Sequence, residues 1–152
     1  MKTKNNLIGI CGIILLVAVF VVDVKYLGGY FVDLLDYISM LLLIILFFGS
    51  LYVGNQLKFF CSAVKISFAK NPGIPDKSSI KKMEYAVDYA IKTLLYSGPL
   101  LAILAIFIML HNLYDVADIG PLTAIALISI IFPMLFVLFL HQIKGRVHSL
   151  LK

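Results

Sequence analysis

The sequence predicts an all-α integral membrane fold with four transmembrane helices, the third and fourth long and extended beyond the bilayer, and three observations carry that prediction. Hydrophobic residues make up 62% of the chain and charged residues 14%, with a mean hydropathy of +1.04, well above the apolar share of a water-soluble domain. Four apolar runs, at about 7–22, 37–54, 94–113 and 119–140, contain no Asp, Glu, Lys or Arg. The basic residues between those runs fall almost entirely on one side.

Each run is close to the roughly 20 residues that cross a bilayer as a helix. Lipid offers nothing to an unpaired amide, so each segment must satisfy its own backbone, and the runs lack the alternating polarity of a barrel strand. The first run follows Met1-Lys2-Thr3-Lys4 like a signal peptide. Val22-Asp23-Val24-Lys25 offers no small-x-small cleavage site, so the run is read as a retained helix. Cys11 lies inside this run and Cys61 just past the second, too far apart along the membrane normal to pair. Cys61 is read as an inert thiol in preference to an acylation site.

Gly28-Gly29 marks a turn that makes the first two helices neighbours, and the short second outer connection does the same for the last two. The amphipathic segment 57–69 is expected to prolong the second span inward. After the breaker cluster Asn71-Pro72-Gly73-Ile74-Pro75, Ser78 or Ser79 is the expected N-cap of a helix with Lys81, Lys82, Glu84, Asp88 and Lys92 on its wet face. Ile80, Met83, Val87 and Ile91 form its other face, and the helix runs straight into the third span. Pro133 should kink the fourth.

Twelve basic residues precede the first run, fill the central loop or follow the last run, leaving only Lys25 for the other side, where Asp23, Asp33, Asp36, Asp115 and Asp118 lie. Lys and Arg stay cytoplasmic, so both termini and the central loop are placed inside the cell. The whole chain, 1–152, reads as a single membrane domain.

Catalytic patterns are missing: there is no phosphate-cradling glycine loop, Cys-x-x-Cys or His-Glu-x-x-His. The chain is therefore read as no enzyme, with no cofactor and no metal. The surplus of basic residues is assigned to the membrane surface and its lipid, and not to nucleic acid. His111, at the outer end of the third span, is read as capping or interfacial in preference to metal-binding. His141 and His148 are seven apart, too far for a metal pair on adjacent turns. The hydroxyls of Ser39, Thr93, Ser97, Thr123 and Ser129 either bond back to carbonyls a turn away and hold helices together, or line a pathway. Ala102, Ala105, Ala124 and Ala126 permit close helix approach. With no Asp, Glu, Lys or Arg in any span, an ion pathway needs a carboxylate from another chain.

The stretch from Ile108 to Leu127, with Met109-Leu110-His111-Asn112-Leu113-Tyr114-Asp115 and then Ile119-Gly120-Pro121-Leu122-Thr123-Ala124-Ile125-Ala126-Leu127, resembles the MotA/TolQ/ExbB proton channel family. That family reads "x-M-L-x-N-L-x-D" at the end of span 3 and "I-G-P-x-x-A-x-A-L" at the start of span 4. Gly28-Gly29 with Phe31 to Ser39, and Gln142 to Val147, are weaker echoes of the family's entry to span 2 and exit from span 4. The chain looks most like the short MotA-like members.

The resemblance implies a bacterial inner-membrane protein forming a homo-oligomeric ring, a pentamer, around a single-span MotB/ExbD-like partner whose aspartate carries the proton, with ion flow coupled to mechanical work. It places Ala102, Thr123, Ser129 and Ile130 as pore-lining candidates and Asp36 and Ser39 at the outer mouth. Counted from Asn112 and Gly120, two family threonines fall at Ala102 and Ile130, so two hydroxyls that would solvate a passing cation are replaced by apolar groups. The inner loop is shorter than that of flagellar stators, which argues against a flagellar torque role. Lys81, Lys82, Glu84 and Asp88 are candidates for contact with a cytoplasmic partner. The rival expectation is a non-conducting tetraspan scaffold or regulator of another membrane protein, which accommodates Ala102 and Ile130 more readily.

Overall fold

A computed structural model of the protein describes residues 18, 37–69, 76–111 and 119–151. Apart from Ala18, the first apolar run lies outside the described residues. So do Gly28-Gly29, Asp36, the Asn71 to Pro75 breaker and the connection 112–118. The described elements are α1 (Tyr37–Val53), α2 (Leu57–Phe68), α3 (Lys77–His111) and α4 (Ile119–Ser149), with no strand among the described residues.

Helices α3 and α4 form an antiparallel hairpin that carries most of the packing. Their register is constant along its length: Met109 meets Thr123, Gly98 meets Pro133, Asp88 meets Lys144 and Glu84 meets His148. The buried face of α3 repeats every three or four residues, through Ile80, Met83, Val87, Ile91, Leu94, Ser97 and Leu101, as the sequence pattern of 80–92 predicts. Ala126, Ser129, Pro133, Val137, Leu140, Ile143 and Val147 answer it from α4.

With 35 and 31 residues, α3 and α4 are about 52 and 46 Å long at ~1.5 Å per residue, against roughly 30 Å of hydrocarbon. Each is long and apolar enough to cross a membrane, whereas α1 and α2 reach that length only as a bent pair. The outward faces of the apolar stretches carry exposed Ile103, Leu104, Phe107, Leu110, Leu127, Met134 and Phe136. In water these would form an apolar patch beyond what a soluble monomer tolerates, and in lipid they are solvated. Within that zone, association rests on close packing, because lipid tails are as apolar as Leu. At the charged end, burying Ile80, Val87, Ile143 and Val147 from water contributes at most about 1.5–3 kcal/mol each.

The segment 57–69 does not prolong the second span. The chain bends by 110° between α1 and α2, and the cause is local. The N–H of Gln56 reaches the carbonyl of Leu51 at 2.9 Å, and that of Asn55 reaches Tyr52 at 3.0 Å, with Asn55 at φ 53°. These are the paired bonds of a left-handed helix stop, in which Asn tolerates the positive φ better than most side chains.

Helix α2 then packs Phe60, Ala63 and Ser67 inward and exposes Lys58, Cys61, Lys65 and Phe68. The ring of Phe60 meets Phe47 of α1 edge-on at 5.6 Å, and Phe68 stacks on Phe139 of α4 at 6.4 Å. The guanidinium of Arg146 donates to the carbonyl of Ser67, placing a cation where the last carbonyls of α2 concentrate negative charge.

The N-cap of α3 is Asp76, and neither Ser78 nor Ser79. Its carbonyl accepts the N–H of Ser79 at 2.9 Å and of Ile80 at 3.1 Å, and its carboxylate accepts the hydroxyl of Ser78 at 2.8 Å. Asp and Ser both favour this position, and the carboxylate also complements the positive end of the helix dipole.

Candidate functional site

The seam between α3 and α4 is tightest where Gly98 meets Pro133. A β-carbon on Gly98 would stand 3.0 Å from Cγ and 3.2 Å from Cβ of Pro133, and 3.3 Å from the carbonyl oxygen of Ser129. Pro133 has no N–H to give to that carbonyl four residues back, and the bare edge of Gly98 lies against it. Pro99 interrupts the ladder of α3 next to the same contact. The seam is therefore built around two proline breaks and a glycine.

Ala102 and Ser129 are both buried within this seam, at 4% exposure each. Ser129 turns its hydroxyl back to the carbonyl of Ile125 at 3.0 Å, and Ser97 turns to Leu94 at 3.3 Å. Thr123 is exposed, donating to the carbonyl of Ile119 at 2.7 Å with its oxygen 3.6 Å from the sulfur of Met109. Ile130 is half-buried. The structure thus buries both Ala102 and Ser129 within one chain and leaves Thr123 on the outside of the hairpin. Ser39 is half-buried and shares a cleft of about 10 Å³ with Leu101, Ser129 and Pro133, level with the middle of α4 and not with its start. That volume is the lower limit for one water. Asp36 lies outside the described residues.

Charge is concentrated at one end of the hairpin. Asp88 is held by Lys144 at 2.6 Å and by Lys92 at 3.0 Å, while His148 Nδ1 lies 3.0 Å from Glu84. The hydrogen bond from Lys144, then that from Lys92, holds the Asp88 carboxyl below the usual carboxylate range. Lys82 sits over the ring of Phe59 at 5.6 Å, and Lys81 is exposed. Of the candidates for cytoplasmic contact, Glu84 and Asp88 tie α3 to α4, and Lys81 presents its ammonium to solvent.

A further constellation joins α1 to α3. Ser50 Oγ lies 3.2 Å from both the hydroxyl of Tyr89 and Oγ1 of Thr93, and Thr93 also donates to the carbonyl of Tyr89 at 3.0 Å. Gly54 makes the fit possible, since a β-carbon there would stand 3.0 Å from the Tyr89 ring. The three hydroxyls floor an open groove of about 420 Å³, whose walls include Leu46, Leu100, Tyr96 and Lys92. Thr93 and Ser97 are legible in the sequence as hydroxyls at the start of a span, whereas Ser50 and Tyr89, 39 residues apart, are joined only by the fold. The signal available was Ser50 with Gly49 and Gly54 near the end of an otherwise largely apolar span. Gly98-Pro99 was the corresponding signal for the seam.

Among the described residues no group of three or more His, Cys, Asp or Glu side chains could hold a metal ion. No family model, curated protein or solved structure matches the chain.

Proposed function

We propose that the chain is a non-enzymatic subunit of a membrane assembly in the bacterial inner membrane, with both termini cytoplasmic. Copies ring a single-span partner of the MotB/ExbD kind, and ion flow, of protons in the first instance, is coupled to mechanical work. The observation that carries this reading is the division of the α3–α4 hairpin. One part is free of Asp, Glu, Lys and Arg from Thr93 to His111 and from Ile119 to Leu140. The other is a paired projection held by Asp88–Lys144 and Glu84–His148.

The charged half of α3, Lys77 to Lys92, adds about 24 Å of helix beyond the apolar stretch. Cross-braced to α4, it is stiff enough to pass force between the membrane and a cytoplasmic element. Apart from His111 at its outer end, the uncharged part has no Asp, Glu, Lys or Arg to carry a proton through it, so the acid must come from the partner. The four-span count and the pentamer belong to this proposal and rest on the apolar runs and the resemblance.

A second reading, the non-conducting scaffold, draws on one specific observation. Ala102 and Ser129 are sealed within a single chain, and the hydroxyls of Ser97 and Ser129 bond to their own helices. Proton flux through liposomes containing the chain with and without a candidate single-span partner separates the two. Flux that depends on the partner supports the channel, and no flux in any combination supports the scaffold. Native mass spectrometry from nanodiscs should give a ring of copies, and a monomer would refute the channel reading.

A further inference from the structure

The groove between α1 and α3 combines features that neither reading of function uses. Its walls are largely apolar, through Leu46 and Leu100, and its lining includes the hydroxyl cluster of Ser50, Tyr89 and Thr93. Tyr96 is 75% exposed at its rim. Lys92, with 63% of its side chain exposed, stands at the charged end. An ammonium has three donors and Asp88 engages one of them. Lys92 and Lys144 share the single carboxylate of Asp88, so the trio keeps one positive charge. A cation and a tyrosine at the top of an apolar cleft, where a crossing helix passes from uncharged to charged sequence, complement an amphiphile with an anionic head.

We propose that this groove binds one anionic phospholipid, with its phosphate on Lys92 Nζ and the Tyr96 hydroxyl and its acyl chains along Leu46 and Leu100. The proposal rests on α3 crossing the membrane with Lys92 at its boundary, and on neither ring formation nor conduction. Lipid in this position would wedge α1 against the hairpin and make their contact depend on membrane composition.

The chain contains no tryptophan, so Leu100→Trp in the full-length protein gives a single fluorophore on the groove wall. Phe107→Trp, on the apolar outer face of α3, gives a reference for bulk lipid. Both are reconstituted in vesicles containing phosphatidylglycerol or phosphatidylcholine brominated near the top of the acyl chains. The Leu100→Trp signal should be quenched by phosphatidylglycerol with about fivefold preference, as one lysine near an anionic headgroup gives. The preference should vanish when Lys92→Gln is added and survive Lys65→Gln, which removes an exposed cation from α2. The Phe107→Trp signal should be quenched equally by both lipids.

Equal quenching at Leu100→Trp by the two lipids would show ordinary annular lipid and overturn the proposal, as would a preference that persists in Lys92→Gln. Quenching at Phe107→Trp with none at Leu100→Trp would mean that a second copy or a partner helix covers the groove, which overturns the proposal and leaves the membrane reading standing. Quenching at neither position would overturn both.

Discussion

Replacing Gly98 by Ala tests the seam with one added carbon. That carbon would stand 3.0 and 3.2 Å from two ring atoms of Pro133 and 3.3 Å from the Ser129 oxygen, where carbon contacts normally settle at about 3.5–4.0 Å. The proline ring cannot rotate away, so α3 and α4 must separate by several tenths of an ångström over the surrounding contacts. Overpacking of this kind costs about 1–3 kcal/mol. Against it, alanine gains about 0.5–1 kcal/mol of helix propensity over glycine.

Gly145 of α4 supplies the control, because a β-carbon there meets nothing within 4 Å. Gly145→Ala should gain the propensity alone. The difference between the two variants therefore cancels propensity and reads the clash, at about 1–3 kcal/mol. Reversible unfolding in mixed micelles, followed by helical circular dichroism against mole fraction of SDS, measures both. Gly98→Val should lose more than Gly98→Ala, since its branched side chain also forfeits rotamer freedom in a helix. If Gly98→Ala and Gly145→Ala proved equally stable within a few tenths of a kcal/mol, the seam would not be closed at Gly98.

Other perturbations have equally definite outcomes. The Asp88 carboxyl titrates below its ordinary value in the folded chain, so its contribution to stability is complete above the unfolded pKa of about 3.9. It is lost as pH falls through the lower folded value. Asp88→Asn should remove that acid limb from the pH profile and cost up to about 1 kcal/mol at neutral pH, as partly exposed ion pairs do. Asn55→Gly should preserve the stop after α1, whereas Asn55→Val should destabilise by about 1–2 kcal/mol, because a β-branched residue resists φ near 53°; thermal unfolding in detergent compares them. Ser67→Ala should be neutral or stabilising in the same assay, because the Ser67 hydroxyl is buried with no hydrogen-bond partner among the described residues.

Much of the fold could be read from the chain. The wet and dry faces of 80–92 emerge as the sequence places them, because a half-buried helix writes its orientation into every third or fourth residue. The continuation of that helix to His111 follows from the same unbroken periodicity. The bend after α1 was harder to read. An amphipathic segment such as 57–69 looks alike whether it continues a helix or turns across it, and the deciding feature is one backbone conformation at Asn55. The cap of α3 lies two or three residues before Ser78 and Ser79, because Asp76, Ser78 and Ser79 are all competent caps and backbone geometry makes the choice between them.

The candidate site divides along the same line. That the apolar runs lack Asp, Glu, Lys and Arg is a statement about composition, and sequence is sufficient for it. The sealing of Ala102 and Ser129 inside one hairpin depends on which faces of α3 and α4 meet. The Ser50, Tyr89 and Thr93 cluster depends on how α1 docks on α3. Neither leaves a periodic trace, since each turns on a single pairing of distant residues.

The most direct test of the account is the sidedness of α3. In a background with Cys11→Ser and Cys61→Ser, single cysteines replacing Ser78 and His111 are exposed to a membrane-impermeant maleimide in intact spheroplasts and in inverted vesicles. The account predicts that the cysteine at Ser78 labels only in inverted vesicles and the cysteine at His111 only in spheroplasts. Labelling of both from the same side would contradict a membrane-crossing α3, and with it the borrowed acid and the lipid groove.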